Sequence, residues 1–458
     1  MLSYQLDMEQ ENFGTKIGAI LAAAGSAVGL GNIWRFPTET GNNGGAAFLL
    51  IYIGFMLLLG VPIMVSEFVI GRHSQTSVTQ SFFKMSGGKK GWKLMGLIPV
   101  IAGFLVLSYY AVVAGWTLYY AFLAGLDGFA GKTPDEIGAD FQSFCADPFS
   151  PLLWMVIILI INGLIVALGV KKGIERGARI MMPLLFIFIL ILVACSFTLP
   201  GATAGLQFLF HPDFSKVTGQ TLLNAMGQAF FSLSVGLCCL CTYATYFKKD
   251  VNLMKDGLHV ATIDTLVAVC AGLIIFPAVF SISGLAPSQG PSLVFVTLPN
   301  VFQQAFGNVF VAYVFSLCFY LLLVMAALTS SISMLEMIVA YFYQELHIKR
   351  FHASMGATFV CMILGSFCSF SFGIWNDVTI FGLGFFDLFD FIVAKLIMPI
   401  GGMLICVFLG WVVDEKVLRN EITNAGTLRA PYYSVFRFII RYFAPACIML
   451  IFISQLYQ

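Results

Sequence analysis

Apolar positions run in long blocks along this chain, and charges and Gly/Pro clusters mark the gaps between them. A membrane-spanning helix needs ~20 mostly apolar residues. Eleven segments meet that need: 14–37, 44–71, 94–124, 151–169, 177–199, 220–247, 257–283, 309–344, 353–371, 387–413 and 433–456. Barrel strands would show short alternating stretches instead, so the pattern predicts helices alone. The predicted fold class is an all-α polytopic membrane protein of about eleven transmembrane helices.

Composition agrees. Of 458 residues, 59% are hydrophobic and 10% charged, and the mean hydropathy is +0.92. Soluble proteins are nearer ~45–50% apolar and ~25% charged. A chain of soluble domains is excluded, and 46 Phe exclude disorder. A net charge of +1 gives no reason to expect a nucleic-acid partner. The lipid bilayer is the implied surrounding, and oligomeric state is left open.

The Lys/Arg bias orients the spans. One side holds Lys16 and the bases of 72–93, 171–179, 248–255, 349–350 and 416–441, which make 20 of 24. The opposite 125–150 loop carries Asp127, Asp135, Glu136, Asp140 and Asp147. This predicts a plasma (inner) membrane protein with a cytoplasmic N-terminus and, with eleven spans, an outside C-terminus. Residues 1–16 are polar and acidic, so no cleavable signal peptide is expected. Cys145 stands alone in an outer loop, which argues against a structural disulfide there. There is no metal-ligand spacing, P-loop or dinucleotide fingerprint. The five His (73, 211, 259, 347, 352) sit in loops or at span ends, so no enzyme site is expected.

Two spans carry helix-weakening residues at mid-membrane. Segment 25–37 reads GSAVGLGNIWRFP, with three glycines within seven residues. Small residues could serve close helix packing. Alternatively the helix breaks, which lipid tolerates only where the backbone is buried in protein or lines a cavity. Asn32 and Arg35 in the same stretch favour the break. Segment 230–238 reads FFSLSVGLC, and Val235-Gly236-Leu237 repeats Val28-Gly29-Leu30. The two candidate breaks open two blocks of five spans, the pattern of a secondary transporter with inverted repeats. The expected organisation is one transporter domain over 1–458: repeats 1–199 and 200–413, then a loop and the eleventh helix over 414–458. Half-helix N-termini suit a carboxylate, and freed carbonyls suit Na⁺ or an ammonium. Thr329, Ser330 and Ser331 lie in the eighth span. Composition alone favours hydroxyls that bond back to the previous turn; the alternative is hard ligands for an alkali cation.

The stretch from Ala24 to Pro37, followed by Asn43-Gly44-Gly45-Ala46-Ala47-Phe48, resembles the opening of the neurotransmitter:sodium symporter family, whose bacterial amino-acid members share the LeuT fold. Further matches are Gly60-Val61-Pro62 with Glu67 and Gly71-Arg72, Tyr109-Tyr110, Gly115-Trp116, Gln228 to Gly236, Leu328 to Ser331, and Phe386 to Phe391. The resemblance covers about 13–413. It implies a symporter that takes up a neutral amino acid with two Na⁺. It places the first sodium site at Ala27, Asn32, Ser232 and Asp264, and the second at Gly25, Val28, Ala326, Thr329 and Ser330. The substrate carboxylate would meet the Leu30 and Gly31 amides and Tyr110, and its ammonium the carbonyls of Ala27, Phe231, Ser232 and Ser234. Val106, Tyr110, Phe231, Leu237, Ser330 and Met334 would line the side-chain pocket. Arg35 and Asp390 would form the outer gate over Tyr110 and Phe231.

Departures from the family pattern sharpen the expectation. Asp264 stands where many members have Asn, and Ala268 where chloride-dependent relatives use a Ser. A fixed carboxylate can replace the anion, so no chloride requirement is expected; the alternative is a protonated, hydrogen-bonded Asp264. Gly29 stands where monoamine carriers place Asp, which points to amino acids. Leu237 and Met334 point to a medium-to-large apolar or aromatic side chain. The alternative is a Na⁺-coupled carrier of small amino acids, betaines or monoamines. At the inner gate, Gln10 and Gln344 replace the usual Arg and Asp. The neighbouring Glu9 and Glu11 are not expected to restore an ion pair, so the inward-open state should be more populated. Lys395, inside the tenth span, either snorkels or pairs with an acid.

Overall fold

The computed structural model describes residues 11–281, 292–306 and 308–456. Nine helices among them are long and apolar enough to cross a bilayer. They are α3 (Ala46–Ser74), α4 (Lys90–Gly125), α5 (Ser150–Ala167), α6 (Val170–Ser196), α9 (Leu253–Phe280), α10 (Val309–Gln344), α11 (Arg350–Phe370), α12 (Phe385–Val412) and α14 (Tyr433–Gln455). The pair α1 (Lys16–Ala27) and α2 (Gly31–Asn42) makes a tenth crossing, bent by 55°. The segment predicted over 220–247 is two shorter helices, α7 (Gly219–Ser232) and α8 (Cys239–Ala244), on either side of an irregular stretch. These eleven units match the eleven apolar segments. The chain is an all-α polytopic membrane protein.

Both breaks fall where glycine and serine were concentrated. At the first, Val28 leaves the helix in an extended conformation, and the Asn32 side chain accepts from the Gly29 N–H at 2.9 Å. At the second, Ser234, Gly236 and Cys238 all take positive φ (51°, 93° and 60°). Gly236 tolerates this freely; Ser234 and Cys238 do not. Glu67 of α3, fully buried, steadies the stretch by accepting from the Gly236 N–H at 2.8 Å and the Cys241 N–H at 3.2 Å. Buried amides without a helical partner need such an acceptor.

Two expectations need correction. Cys145 is not a loop residue open to water: it is buried near the end of the helix Pro134–Ala146. Residues 414–432 are not merely a loop, because they contain α13 (Glu415–Thr423), docked on the end of α3. There Glu421 meets Arg72 at 2.8 Å, His73 at 3.0 Å and Lys249 at 3.7 Å. Burial pushes the Glu421 carboxyl up, but His73, Arg72 and Lys249 outweigh burial and bring it down to about 2. Both features depend on packing between elements distant in sequence.

Candidate functional site

A cavity of ≈ 980 Å³ lies between α1, α2, α4, α7, α10 and α12. All twelve residues expected to contact substrate line it: Ala27, Gly29, Leu30, Gly31, Val106, Tyr110, Phe231, Ser232, Ser234, Leu237, Ser330 and Met334. Trp34, Tyr109, Val113, Phe386 and Met398 line it too, which the sequence did not assign to it. From the breaks the cavity rises past Arg35 and Asp390 to Glu39, Asn43 and Lys216. Lys216 is 67% exposed, so this end meets solvent.

At the floor, backbone polar groups of the break meet side chains. The Leu30 N–H faces the Tyr110 hydroxyl at 3.4 Å. The break takes the Gly29 and Leu30 amides out of helical bonding and turns the Val28 and Gly25 carbonyls toward Ser330, which gives a charged, hydrogen-bonding ligand partners in an apolar bundle. A Cβ on Gly29 would meet Ser330 Oγ at 2.8 Å and the Tyr110 hydroxyl at 3.3 Å, so a side chain there would displace the Ser330 hydroxyl.

Beside the floor, Asn32, Ser232 and Asp264 converge. Asn32 Nδ2 donates to Asp264 Oδ1 at 2.8 Å and to Ser232 Oγ at 3.2 Å. Ser232 Oγ donates to Asp264 Oδ2 at 2.6 Å. Tyr52 of α3 joins them, its hydroxyl 3.3 Å from Ser232 Oγ and 3.4 Å from Asp264 Oδ2. Nothing in the spacing of Tyr52 singled it out. Asp264 is thus a fully buried carboxyl with hydrogen bonds but, among the described residues, no cationic side chain in contact. Its oxygens, with those of Asn32 and Ser232, form a hard donor set suited to an alkali cation.

On the other side of α1 a second oxygen cluster forms. Ser330 Oγ lies 2.9 Å from the Val28 carbonyl and 3.4 Å from that of Gly25. Thr329 Oγ1 bonds back to the Met325 and Ala326 carbonyls at 3.0 and 3.1 Å. The back-bonding alternative therefore holds for Thr329, while Ser330 turns across to the broken helix. Gly25 permits this approach, since a Cβ there would sit 3.1 Å from Thr329 Cβ. All five residues expected at the second site share one locus.

The gates differ from expectation. Arg35 and Asp390 both line the cavity, but the two are not joined as an ion pair. Arg35 lies over the Phe231 ring, 4.0 Å from its centroid, and Asp390 lies beside Tyr109. At the opposite end, Gln10 lies outside the described residues, and Gln344 Oε1 has no hydrogen-bond partner among them. An ion pair nevertheless closes that end, contrary to the expectation for Glu11. Arg350 binds Glu11 at 2.7 Å and also Glu336, which accepts from Tyr246 at 2.5 Å. Arg350 also donates to the Val166 carbonyl at 3.0 Å. Glu11 and Arg350 are far apart in sequence, so spacing could not pair them.

Comparison with known proteins gives the family. The model of the sodium:neurotransmitter symporter family matches residues 10–129 and 146–458. An uncharacterized sodium-dependent transporter of Bacillus subtilis (strain 168), YhdH, is 38% identical, with 96% of each chain covered. A sodium- and chloride-dependent GABA transporter of Drosophila melanogaster, ine, is 25% identical over 94% of this chain and 49% of its own length. The crystal structure of MhsT in complex with L-phenylalanine superposes with a TM-score of 0.87 at 43% identity, covering 97% of this chain and 99% of MhsT. The chain belongs to the sodium:neurotransmitter symporter family, whose members are sodium-coupled transporters and not enzymes.

Proposed function

We propose that this chain imports a neutral amino acid with a medium-to-large hydrophobic or aromatic side chain, together with two Na⁺ and without chloride. The observation that carries the reading is the convergence of two oxygen clusters on one broken helix, with the Gly29 and Leu30 amides between them held by side chains instead of by the helix. One Na⁺ binds Ala27, Asn32, Ser232 and Asp264 and neutralises both Asp264 and the substrate carboxylate. The other binds Gly25, Val28, Ala326, Thr329 and Ser330 and ties α1 to α10. The carboxylate takes the Leu30 and Gly31 amides and the Tyr110 hydroxyl; the ammonium takes the carbonyls of Ala27, Phe231, Ser232 and Ser234.

Gly29 supports amino acids over monoamines, because no carboxylate side chain fits at that position while Ser330 and Tyr110 hold their places. The pocket formed by Val106, Phe231, Leu237, Met334 and Met398 supports an apolar side chain, and so does the phenylalanine bound by MhsT. The Lys/Arg distribution supports a cytoplasmic N-terminus, an outside C-terminus and the plasma membrane. On that orientation the structure is open outward past Arg35 and closed inward at Arg350. Residues 1–199 and 200–413 form the inverted repeats, each opened by its broken helix, and alternating access rocks one against the other.

The test is a thermal-shift screen of the twenty amino acids in Na⁺ and in K⁺. Ligands that bind N and not U raise Tm with concentration. Stabilisation by large neutral amino acids in Na⁺ alone is expected; equal shifts in K⁺ would refute the reading.

A further inference from the structure

Lys395 is a base inside an apolar span, where charge is costly and usually functional. It does not line the cavity and belongs to neither oxygen cluster. It is half-buried, its ammonium 5.5 Å from the Phe391 ring centroid, with no carboxylate in ion-pair contact among the described residues.

The local helix geometry gives it a role. Within α12, Phe385–Asp390 is α-helical, and Phe391–Ile397 continues in a π-helical register. The Met398 N–H accordingly bonds five residues back, to the Val393 carbonyl. In an α-helix positions i and i+5 point about 140° apart. An i→i+5 turn stacks them, so the wider register brings Lys395 one turn below Asp390 on the same face. Arg35 acts electrostatically on Asp390 and Lys395 does so more weakly, while Asp387 opposes both. Arg35 itself is engaged with Phe231.

We propose that Lys395 is a second counter-charge of Asp390 in the open state, one helical turn away and alongside Arg35. It competes with Arg35 for that carboxylate and so sets how readily the outer gate closes. It is a positioning residue: it touches no substrate and acts through Asp390. The proposal rests on the reading of Arg35 and Asp390 as the outer gate. Removing the lysine charge leaves Asp390 a better partner for Arg35, and the closed state gains.

The experiment uses the full chain in nanodiscs, in a background without reactive native cysteines. The reporter is Val113→Cys, which lines the cavity. Its rate of labelling by a charged methanethiosulfonate measures access from the Arg35 end. Lys395→Met is expected to slow labelling about two- to fivefold, the range for a half-exposed charge pair. Lys395→Gln removes the same charge and serves if the methionine variant does not fold. Lys395→Arg should restore the wild-type rate. In an Asp390→Asn background, Lys395→Met should have no effect. An unchanged rate in both neutral variants, or the same slowing in the Asp390→Asn background, overturns the proposal. Arg35→Gln separates the two readings. If it speeds labelling while the Lys395 variants do nothing, the gate stands and only the role of Lys395 falls. If neither Arg35→Gln nor Asp390→Asn changes the rate, the gate reading fails and the proposal with it.

Discussion

Asp264→Asn tests the centre of the proposed function most directly. The carboxyl is fully buried, and Asn32, Ser232 and Tyr52 approach its two oxygens at 2.8, 2.6 and 3.4 Å. None of the three carries positive charge, so without Na⁺ an ionised Asp264 would be supported by dipoles alone. Asparagine keeps the shape and one acceptor oxygen but removes the charge. Two opposite effects follow. Without Na⁺, the cost of burying the charge disappears while some charge-assisted bonds are lost, so stability should be unchanged or higher. With Na⁺, the attraction between ion and carboxylate is lost. Two unit charges ~4 Å apart at an effective dielectric of ~20 attract by about 4 kcal/mol. Remaining oxygens and water recover part of that, which leaves about 2–4 kcal/mol, or roughly thirty- to nine-hundredfold in Na⁺ affinity. The assay is a Na⁺ titration of Tm in choline-balanced buffer, with and without a saturating amino acid. The variant should start at an equal or higher Tm and respond only at far higher Na⁺. A Na⁺ midpoint within threefold of wild type refutes the assignment of Asp264 as the ion's counter-charge.

Other outcomes follow from the same geometry. Thr329→Ala with Ser330→Ala should weaken Na⁺ binding even without substrate, because the Ser330 hydroxyl faces the Val28 and Gly25 carbonyls; an unchanged Na⁺ midpoint would displace the second site. Replacing chloride by gluconate should leave uptake intact, whereas Asp264→Asn with Ala268→Ser should introduce chloride dependence; a large loss in the wild-type chain would count against the fixed-carboxylate argument. Glu11→Gln leaves Arg350 with Glu336 alone and should raise labelling of an inner-vestibule cysteine about two- to fivefold; no change would mean that Phe13, packed edge-on to Tyr243 and Tyr246, holds this end shut unaided. Glu421, whose carboxyl lies below its ordinary value, contributes stability that is present above pH ~4.5 and lost as pH falls through about 2. The Tm gap between wild type and Glu421→Gln should thus be level from pH 5 to 8 and shrink on acidification below that; a gap that widens in acid would reverse the sign of the argument.

The sequence by itself determined what short-range chemistry encodes. Runs of apolar residues long enough for a bilayer set the class and the eleven units, because backbone polar groups in lipid must be satisfied within each helix. Glycine and serine clusters at 25–31 and 232–238 located both breaks, since a helix fails where its own residues favour other conformations. The family motifs then named twelve substrate-contact residues, and each lies on the cavity, though Trp34, Tyr109, Val113, Phe386 and Met398 line it as well. Only the tertiary structure decided which distant side chains meet. Tyr52 joins Asp264 from another helix, Glu67 accepts from the amides of the second break, and Glu421 anchors α13 on Arg72. The closed end showed this most plainly: Gln10 and Gln344 suggested a missing ion pair, while Glu11 reaches Arg350 across 339 positions of sequence. Periodicity and local propensity carry no term for such contacts. They depend on how helices of fixed length pack around a shared core, and that packing brings a charge near its partner or leaves Arg35 resting on Phe231.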